Sequence, residues 1–234
     1  MTDLELYDEL CRFISPERRD LFDRIAPERT RHVTVVLEDI YQAHNASAVV
    51  RSCDLLGVQD MHVIEDRNKY VVSDEVAMGS SKWVDVHRHP SASGAVTCLD
   101  GLRAKGCTIV ATTPAENGAT PQEIDLRSPL AFCFGTELTG ISDAMKQRAD
   151  VLMRIPMYGF TSSYNISVSV AIVLYTVITR LRASKVAWRM SAEEINALKL
   201  AWLRISVRHS DRVEARIRAE AALRPGSRDA GEHM

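Results

Sequence analysis

The sequence predicts an α/β fold in which a mostly parallel sheet carries helices on both faces. Between residues 32 and 182, short runs rich in Val, Ile and Phe alternate with longer segments of helical pattern, which is typical of parallel strands joined by crossover helices. The chain has 234 residues, 46% of them hydrophobic, and is long enough to bury one substantial core. We therefore expect one main domain, residues 32–184, between two extensions, residues 1–31 and 185–234.

The N-terminal extension is predicted to be a helical arm. Residues 3–30 have the pattern of two short helices separated at Ser15-Pro16, because serine caps a helix N-terminus and proline is tolerated at the first helical position.

The sheet is predicted from six apolar segments, residues 32–37, 61–64, 84–87, 108–112, 130–134 and 151–155. One helix is expected from Asn45, as its N-cap, to about Leu56, with Gly57 ending it. A second is expected over residues 92–105. A third, over residues 168–178, is apolar on nearly all sides, which indicates a helix buried in the interior.

The C-terminal extension is predicted to be helical and basic. Ser191 and Glu194 have the spacing of a capping box. The buried side of that helix is expected to carry Ala197, Leu198, Ala201, Leu203 and Ile205. Residues 180–220 contain ten Lys and Arg against five Asp and Glu, although the whole chain has a formal charge of -2. This local excess is typical of a surface that meets phosphates.

The cysteines and the N-terminus indicate a cytoplasmic protein. Five cysteines are scattered without a CxxC pair, so the sequence indicates neither a disulfide framework nor a metal site. The acidic start lacks the pattern of a signal peptide, and serine and threonine interrupt the strongest apolar run. We therefore expect no membrane segment and no metal.

Three loops that follow predicted strands are the candidate ligand-binding segments, since ligands of open α/β sheets lie beyond the carboxyl ends of strands. They are residues 111–118, 134–140 and 155–170. None contains GxGxxG or GxxxxGK[ST], which excludes the usual dinucleotide and P-loop sites. In the second loop, glycines allow close backbone approach, and Glu137 either binds hydroxyl groups, holds a neighbouring loop or caps a helix. In the third, Ser163, Asn165 and Ser167 either cap a helix or line a small-molecule cradle.

Arg51 is the unusual residue of the first predicted helix, because its neighbours are mostly apolar. An unpaired guanidinium among them is costly, so Arg51 is expected either to meet a buried carboxylate or to point into a polar opening. Helical side chains lean toward the N-terminus, so it is expected to reach back toward His44 and Asn45, where it can bind a phosphate.

Three segments together resemble the SPOUT superfamily, in particular its SpoU-type RNA ribose 2'-O-methyltransferases. The resemblance covers roughly residues 32–182 and rests on Asn45 with Arg51, on residues 134–142, and on residues 155–169. It implies a C-terminal trefoil knot, S-adenosylmethionine as the bound methyl donor, and a homodimer. Tyr164 departs from the family pattern, which usually has leucine between the Ser and the Asn.

The resemblance also implies roles for individual residues. The residues implied to contact the methyl donor are Thr112, Gly135, Ile155, Met157, Tyr164 and Asn165. The residues implied at the catalytic end, with contributions from both subunits, are Asn45, Arg51, Glu137, Ser163 and Asn165. Family accounts make the arginine the activating base, but a guanidinium is effectively never deprotonated in proteins. We therefore expect Arg51 to bind the adjacent RNA phosphate and to stabilise the developing alkoxide.

The short arm and the basic extension resemble the enzymes that methylate guanosine 18 in the tRNA D-loop. The arginines expected to contact tRNA are Arg18, Arg19, Arg24, Arg29, Arg189, Arg204, Arg208, Arg212, Arg216 and Arg218. Three alternatives stay open: the same reaction on ribosomal RNA or another tRNA position, a non-catalytic RNA-binding protein that binds the donor, and an unrelated doubly wound enzyme acting on a small metabolite.

Overall fold

The computed structural model describes residues 1–90, 93–114, 117–136 and 139–223. The chain divides into two compact units. One unit is the continuous stretch Arg29–Arg189, and the other combines Met1–Glu28 with the segment that begins at Met190. The N-terminal arm and the C-terminal extension, which are far apart in the sequence, thus belong to the same unit.

The Arg29–Arg189 unit is built on a six-stranded sheet in which every pairing between strands is parallel. The strands are β1 (Thr30–Glu38), β2 (Val58–Ile64), β3 (Asp85–His89), β4 (Thr108–Thr112), β5 (Leu130–Phe134) and β6 (Val151–Met153), in the order β3-β2-β1-β5-β4-β6. The α/β prediction is therefore confirmed. The predicted bounds of β4 and β5 are correct, whereas β1 and β2 start earlier and β6 ends two residues before the predicted Ile155.

The described helices are numbered along the chain. They are α1 (Asp3–Cys11), α2 (Pro16–Ile25), α3 (Ala43–Leu55), α4 (Asp74–Ala77), α5 (Gly94–Ala104), α6 (Asp143–Arg148), α7 (Ile166–Ala183), α8 (Ala192–Ser206) and α9 (Ser210–Leu223). Helix α5 starts later than predicted, and Ala92 lies outside the described residues. The prediction that Asn45 caps α3 is wrong, because the helix begins at Ala43 with Gln42 at the N-cap position.

Alternating side chains of the strands build a core on each face of the sheet. On β1, Val35 and Leu37 join the core that contains residues of α3 and α7, whereas Val36 joins the core that contains residues of α5 and α6. This alternation is the period of two that a strand imposes. Helices therefore cover both faces, as the sequence predicts.

Helix α7 is the most apolar helix that the structure describes. Its length and composition are sufficient for a membrane span, and it is the one described helix for which this holds. Its residues Val170, Val173, Leu174 and Val177 are fully buried in the core that α3 shares. A core helix has the same composition, and that is the position α7 occupies in this fold.

The unit formed by Met1–Glu28 and the segment from Met190, called the helical unit below, contains two predicted N-caps and an apolar contact between helices. Ser15 accepts a hydrogen bond from the Arg18 amide, and Ser191 forms a capping box with Glu194, which confirms both caps. Phe22 of α2 packs against Trp202 of α8 with ring centroids 5.4 Å apart. The predicted buried side of α8 is partly wrong: Ala197 and Ile205 are exposed, and Leu200 and Trp202 are buried instead.

Candidate active site

A cavity of about 550 Å³ lies at the carboxyl ends of β4, β5 and β6. Most of its described lining comes from three segments: Thr112, Thr113 and Pro114 at the end of β4; residues 134–136 and 139–141 at the end of β5; and residues between Met153 and Ser169 at the end of β6. These are the three loops that the sequence singles out. A volume of this size accommodates a small molecule of a few hundred daltons.

Gly135 and Gly140 shape the wall of the cavity that follows β5. The loop closes through reciprocal backbone hydrogen bonds of 3.0 Å between Thr136 and Gly140. A Cβ atom on Gly135 would lie 2.1 Å from the carbonyl carbon and oxygen of Gly140, so only glycine fits. Gly140 has φ of +67°, which also favours glycine. Glu137, the candidate carboxylate between them, lies outside the described residues.

A buried carboxylate that the sequence analysis missed fixes the end of the same loop. Glu38 closes β1 and is 7% exposed, and its Oε2 accepts a hydrogen bond of 2.7 Å from the amide of Ser142. Ser142 in turn caps α6 by accepting from the Met145 amide. The loop after β5 is thus held to the neighbouring strand. The position of Glu38 at a strand end was the available signal.

Most of the predicted donor-binding residues lie together around the cavity. Those that line it are Thr112, Gly135, Ile155, Met157 and Tyr164, and Ser163, predicted for the catalytic end, lines it as well. Lys146 of α6, which no sequence pattern identified, also lines the cavity and is the one cation among the described lining residues. Its helix is too short to have been predicted, so no periodic signal identified it.

Asn165 does not line the cavity but caps the helix that starts beside it. Its Oδ1 accepts hydrogen bonds from the amide and the hydroxyl of Ser167, at 2.9 and 2.6 Å. Its Nδ2 donates to Oδ1 of Asn45 at 3.1 Å. Asn45 is 3% exposed, and its own Nδ2 donates to Oε1 of Gln42. The two predicted catalytic amides are therefore in contact and have their orientations fixed by hydrogen bonds.

Arg51 is on the exposed side of α3, so the first of its two expected positions, beside a buried carboxylate, is wrong. The buried side of the helix carries Asn45, Ala46, Val49, Val50 and Cys53, whereas His44, Arg51 and Leu55 are exposed. Arg51 has no hydrogen bond or ion pair to the described residues. It meets no buried carboxylate, because the 100° step between helical residues turns it away from the core.

One arginine of the proposed tRNA-contact set is excluded. Arg29 is 1% exposed and its guanidinium donates to Oε1 of Gln59, to the carbonyl and carboxylate of Asp54, and to two further carbonyl groups. It is a structural residue of the Arg29–Arg189 unit. Of the set, Arg24, Arg208 and Arg212 are exposed and lack an ion pair to the described residues.

Comparison with known proteins gives consistent matches. The model of the SpoU rRNA Methylase family matches residues 32–175. A tRNA (guanosine(18)-2'-O)-methyltransferase of Borreliella burgdorferi is 39% identical over 88% of this chain and 93% of its own length. The enzyme with the same name from Thermus thermophilus is 34% identical over 68% of this chain and 80% of its own length.

Solved structures agree with these matches. The TrmH/SpoU tRNA modifying enzyme of Aquifex aeolicus superposes with a TM-score of 0.74, at 28% identity, over 82% of this chain and 98% of that one. The SpoU methyltransferase AviRb of Streptomyces viridochromogenes, in complex with the cofactor AdoMet, gives a TM-score of 0.58 at 26% identity, over 69% of this chain and 65% of that one. Because the family model matches more than half of its residues, the chain belongs to the SpoU rRNA methylase family.

Proposed function

We propose that this protein transfers the methyl group of S-adenosylmethionine to a ribose 2'-hydroxyl of tRNA, at guanosine 18. The observation that carries the proposal is the convergence of three post-strand loops on one cavity within the stretch that matches the family. The choice of tRNA rests on relatives named tRNA (guanosine(18)-2'-O)-methyltransferases that align over most of this chain.

The lining of the cavity fits the proposed donor. Ile141, Ile155 and Met157 offer apolar contacts to a purine ring, and Lys146 offers a cation to a carboxylate. Thr112, Gly135 and Tyr164 supply backbone and hydroxyl groups for the remaining polar atoms, with Asn165 beside them. When bound, S-adenosylmethionine supplies an electrophilic methyl group on a positively charged sulfur. We further propose that the chain around these loops forms a trefoil knot.

The residues proposed for catalysis act on the ribose. They would hold the 2'-oxygen in line with the methyl group of the donor, while the hydroxyl proton passes to the adjacent RNA phosphate. Arg51 stays protonated, so it binds the phosphate next to the ribose and stabilises negative charge that develops on the 2'-oxygen. Asn45, Asn165 and Ser163 orient the ribose, and Glu137 is assigned to the same junction. Positioning of this kind supplies much of a rate acceleration.

We propose that the active form is a homodimer. Because Arg51 points outward on α3, we propose that it reaches the cavity of a partner subunit. The unit also exposes large apolar side chains that a partner would cover: Tyr158, Phe160, Val168 and Tyr175. Their exposure is the support for an interface on this unit.

The helical extensions are proposed to bind tRNA, with residues 1–31, 32–184 and 185–234 as arm, catalytic domain and basic extension. Arg24, Arg208 and Arg212 are the arginines that are free to contact phosphates, as far as the described residues go. We place the protein in the cytoplasm. Its five cysteines are all free, which accords with a reducing compartment.

The test is methyl transfer from labelled S-adenosylmethionine to unmodified tRNA and to ribosomal RNA, followed by mapping of 2'-O-methyl groups. Label at guanosine 18 of tRNA is the expected result. Label on ribosomal RNA or at another tRNA position would redirect the substrate assignment. Donor binding without transfer to any RNA would overturn the catalytic assignment and favour a non-catalytic RNA-binding protein.

A further inference from the structure

Two histidines and a cysteine converge at the β3 edge of the sheet, whereas the candidate active site lies at the ends of β4, β5 and β6. His62 lies on β2, His89 ends β3, and Cys98 lies on α5. Their ligand atoms all lie within 4.8 Å of one another. The cavity described above is bordered by the loops after β4, β5 and β6, whereas β2 and β3 are at the other side of the strand order. The cluster is therefore separate from that site.

Parallel pairing explains why these residues share one face of the sheet. His62 is opposite His87, and Ile64 is opposite His89, so the three imidazoles point to the face that α5 covers. The rings stack, with centroids 4.6 Å apart for His62 and His87 and 5.2 Å apart for His62 and His89. The ligands are distant in sequence, which is why no spacing motif predicts them.

His87 is not part of the ligand set. Its Nε2 contacts Oδ1 of Asp60 at 2.8 Å, and its side chain is 44% exposed. By contrast, His62 and Cys98 are 8% and 2% exposed, and His89 is partly exposed. The cluster thus has two buried ligands and one at its entrance.

The ligand atoms are near enough to one another to bind a single metal ion after small shifts. Nδ1 of His62 and Nε2 of His89 are 2.9 Å apart, which is hydrogen-bonding distance, with one ring donating the proton and the other accepting it. Zinc bonds to nitrogen of about 2.0–2.1 Å and to sulfur of about 2.3 Å put neighbouring ligand atoms roughly 3.3–3.6 Å apart. The nitrogens need to separate by a few tenths of an ångström, and the sulfur, which lies within 4.8 Å of both, needs to approach by about 1.2 Å at most.

We propose that His62, His89 and Cys98 bind a zinc ion, with water or another exogenous ligand in the fourth position. Two imidazoles and a thiolate suit this borderline-soft ion, whereas magnesium and calcium prefer oxygen ligands. On binding, the thiol loses its proton to solvent, and the proton of the hydrogen bond between the two rings moves to another ring nitrogen.

Such a centre would join β2, β3 and α5 and stabilise the fold by mass action. The test uses the whole 234-residue chain, treated with a chelator and then titrated with Co²⁺. We expect one equivalent of Co²⁺ to give the visible absorption bands of tetrahedral cobalt and a thiolate-to-cobalt band in the near ultraviolet. Both sets of bands are expected to disappear when Zn²⁺ displaces the cobalt. Zn²⁺ is also expected to raise the melting temperature.

Two variants and two controls sharpen the test. Cys98→Ser removes the thiolate band and weakens metal binding by at least about 100-fold, since even the loss of an outer partner costs about 10–100-fold. If Cys98→Ser fails to fold, His89→Gln replaces it and is expected to weaken binding similarly. Cys107→Ser and His87→Gln change neighbours outside the ligand set, and they are expected to keep the thiolate band.

Three results would overturn the proposal. They are a wild-type protein without a thiolate band at saturating cobalt, a band that persists in Cys98→Ser, and a band that is lost in Cys107→Ser. Methyl transfer is not part of the readout, so the outcome is independent of the proposed enzymatic function.

Discussion

Asn165 donates a hydrogen bond of 3.1 Å to Asn45, a residue 120 positions earlier in the chain, and so joins the starts of α7 and α3. The Oδ1 of Asn165 is meanwhile occupied by the amide and hydroxyl of Ser167. One side chain therefore serves as a helix cap and as an orienting group for a buried amide.

Asn165→Asp separates these two roles. The aspartate keeps an acceptor for Ser167, but it has no N–H for Asn45 and puts a negative charge against its carbonyl oxygen. We expect methyl transfer to fall at least tenfold with little change in melting temperature. Ser15→Ala is the control for a general loss of stability, because it removes a helix cap that contributes about 1 kcal/mol in the helical unit. It should leave kcat unchanged, and a normal kcat in Asn165→Asp would contradict the proposed role.

Arg51→Lys tests whether the guanidinium itself is required. The positive charge is retained but the planar fork that binds a phosphate is lost. We expect kcat to fall at least tenfold while donor affinity, measured by calorimetry, stays unchanged. Arg127→Lys changes an arginine whose side chain is 86% exposed and serves as the control. Near-normal turnover by Arg51→Lys would remove Arg51 from the catalytic assignment.

Gly135→Ala should abolish donor binding. The added methyl would collide with the backbone of Gly140 at 2.1 Å, so the loop must move out of position. The matched control is Gly101→Ala in α5, where an added Cβ meets nothing within 4 Å and alanine favours the helix. Calorimetry with S-adenosylmethionine checks both variants. Wild-type affinity in Gly135→Ala would show that the cavity is not the donor site.

Arg29→Leu should destabilise the protein without a specific effect on tRNA binding. It removes the donor of Asp54, Gln59 and two further carbonyl groups, and leaving a buried polar group unsatisfied costs about 1–3 kcal/mol. Urea unfolding measures this loss.

The double variant Arg208→Glu with Arg212→Glu tests the RNA interface. We expect unchanged stability, weaker tRNA binding and a smaller salt dependence of that binding. An unchanged salt dependence would remove α9 from the RNA interface.

The helical unit should lose stability in acid through Glu214. Hydrogen bonds from Arg204 of α8, and then from Arg218, lower the pKa of this carboxyl group. A carboxyl whose pKa is lower in the folded than in the unfolded state stabilises fully above the unfolded value, about 4.3, and loses that contribution as the pH falls through the folded value.

We therefore expect the free energy of unfolding to decline below about pH 5, and Glu214→Gln to remove part of that decline. Glu220→Gln is the control, since Glu220 is 61% exposed and lies 3.7 Å from Arg216. Urea titrations at a series of pH values provide the measurement. Identical pH dependence in the wild type and in Glu214→Gln would contradict this account.

The sequence predicts the parts of the fold that depend on local pattern. The apolar runs of β4 and β5 and the cap residues Ser15 and Ser191 carry their signal within a few residues, and the structure confirms them. Local pattern gives a wrong prediction at Asn45, a good capping residue that lies inside the first turn of α3. It also does not show that Arg51, whose sequence neighbours are mostly apolar, lies on the exposed side of that helix.

What the sequence could not supply are relationships between distant segments. Glu38 holds Ser142, and His62 approaches Cys98, only because of the order in which the strands pair. Lys146 reaches the cavity for the same reason. Sequence patterns identify the loops that line the cavity, whereas the order of the strands determines which side chains from distant segments come into contact.

The division of the chain also has a consequence for synthesis. Leu6, Leu10 and Phe22 belong to a compact unit whose other half starts only at Met190. A ribosome adding about 5–20 residues per second makes the whole of Arg29–Arg189 in between, which takes on the order of ten seconds. During that delay the first two helices leave the exit tunnel with their apolar sides uncovered, and the last unit to be finished is the one that began first.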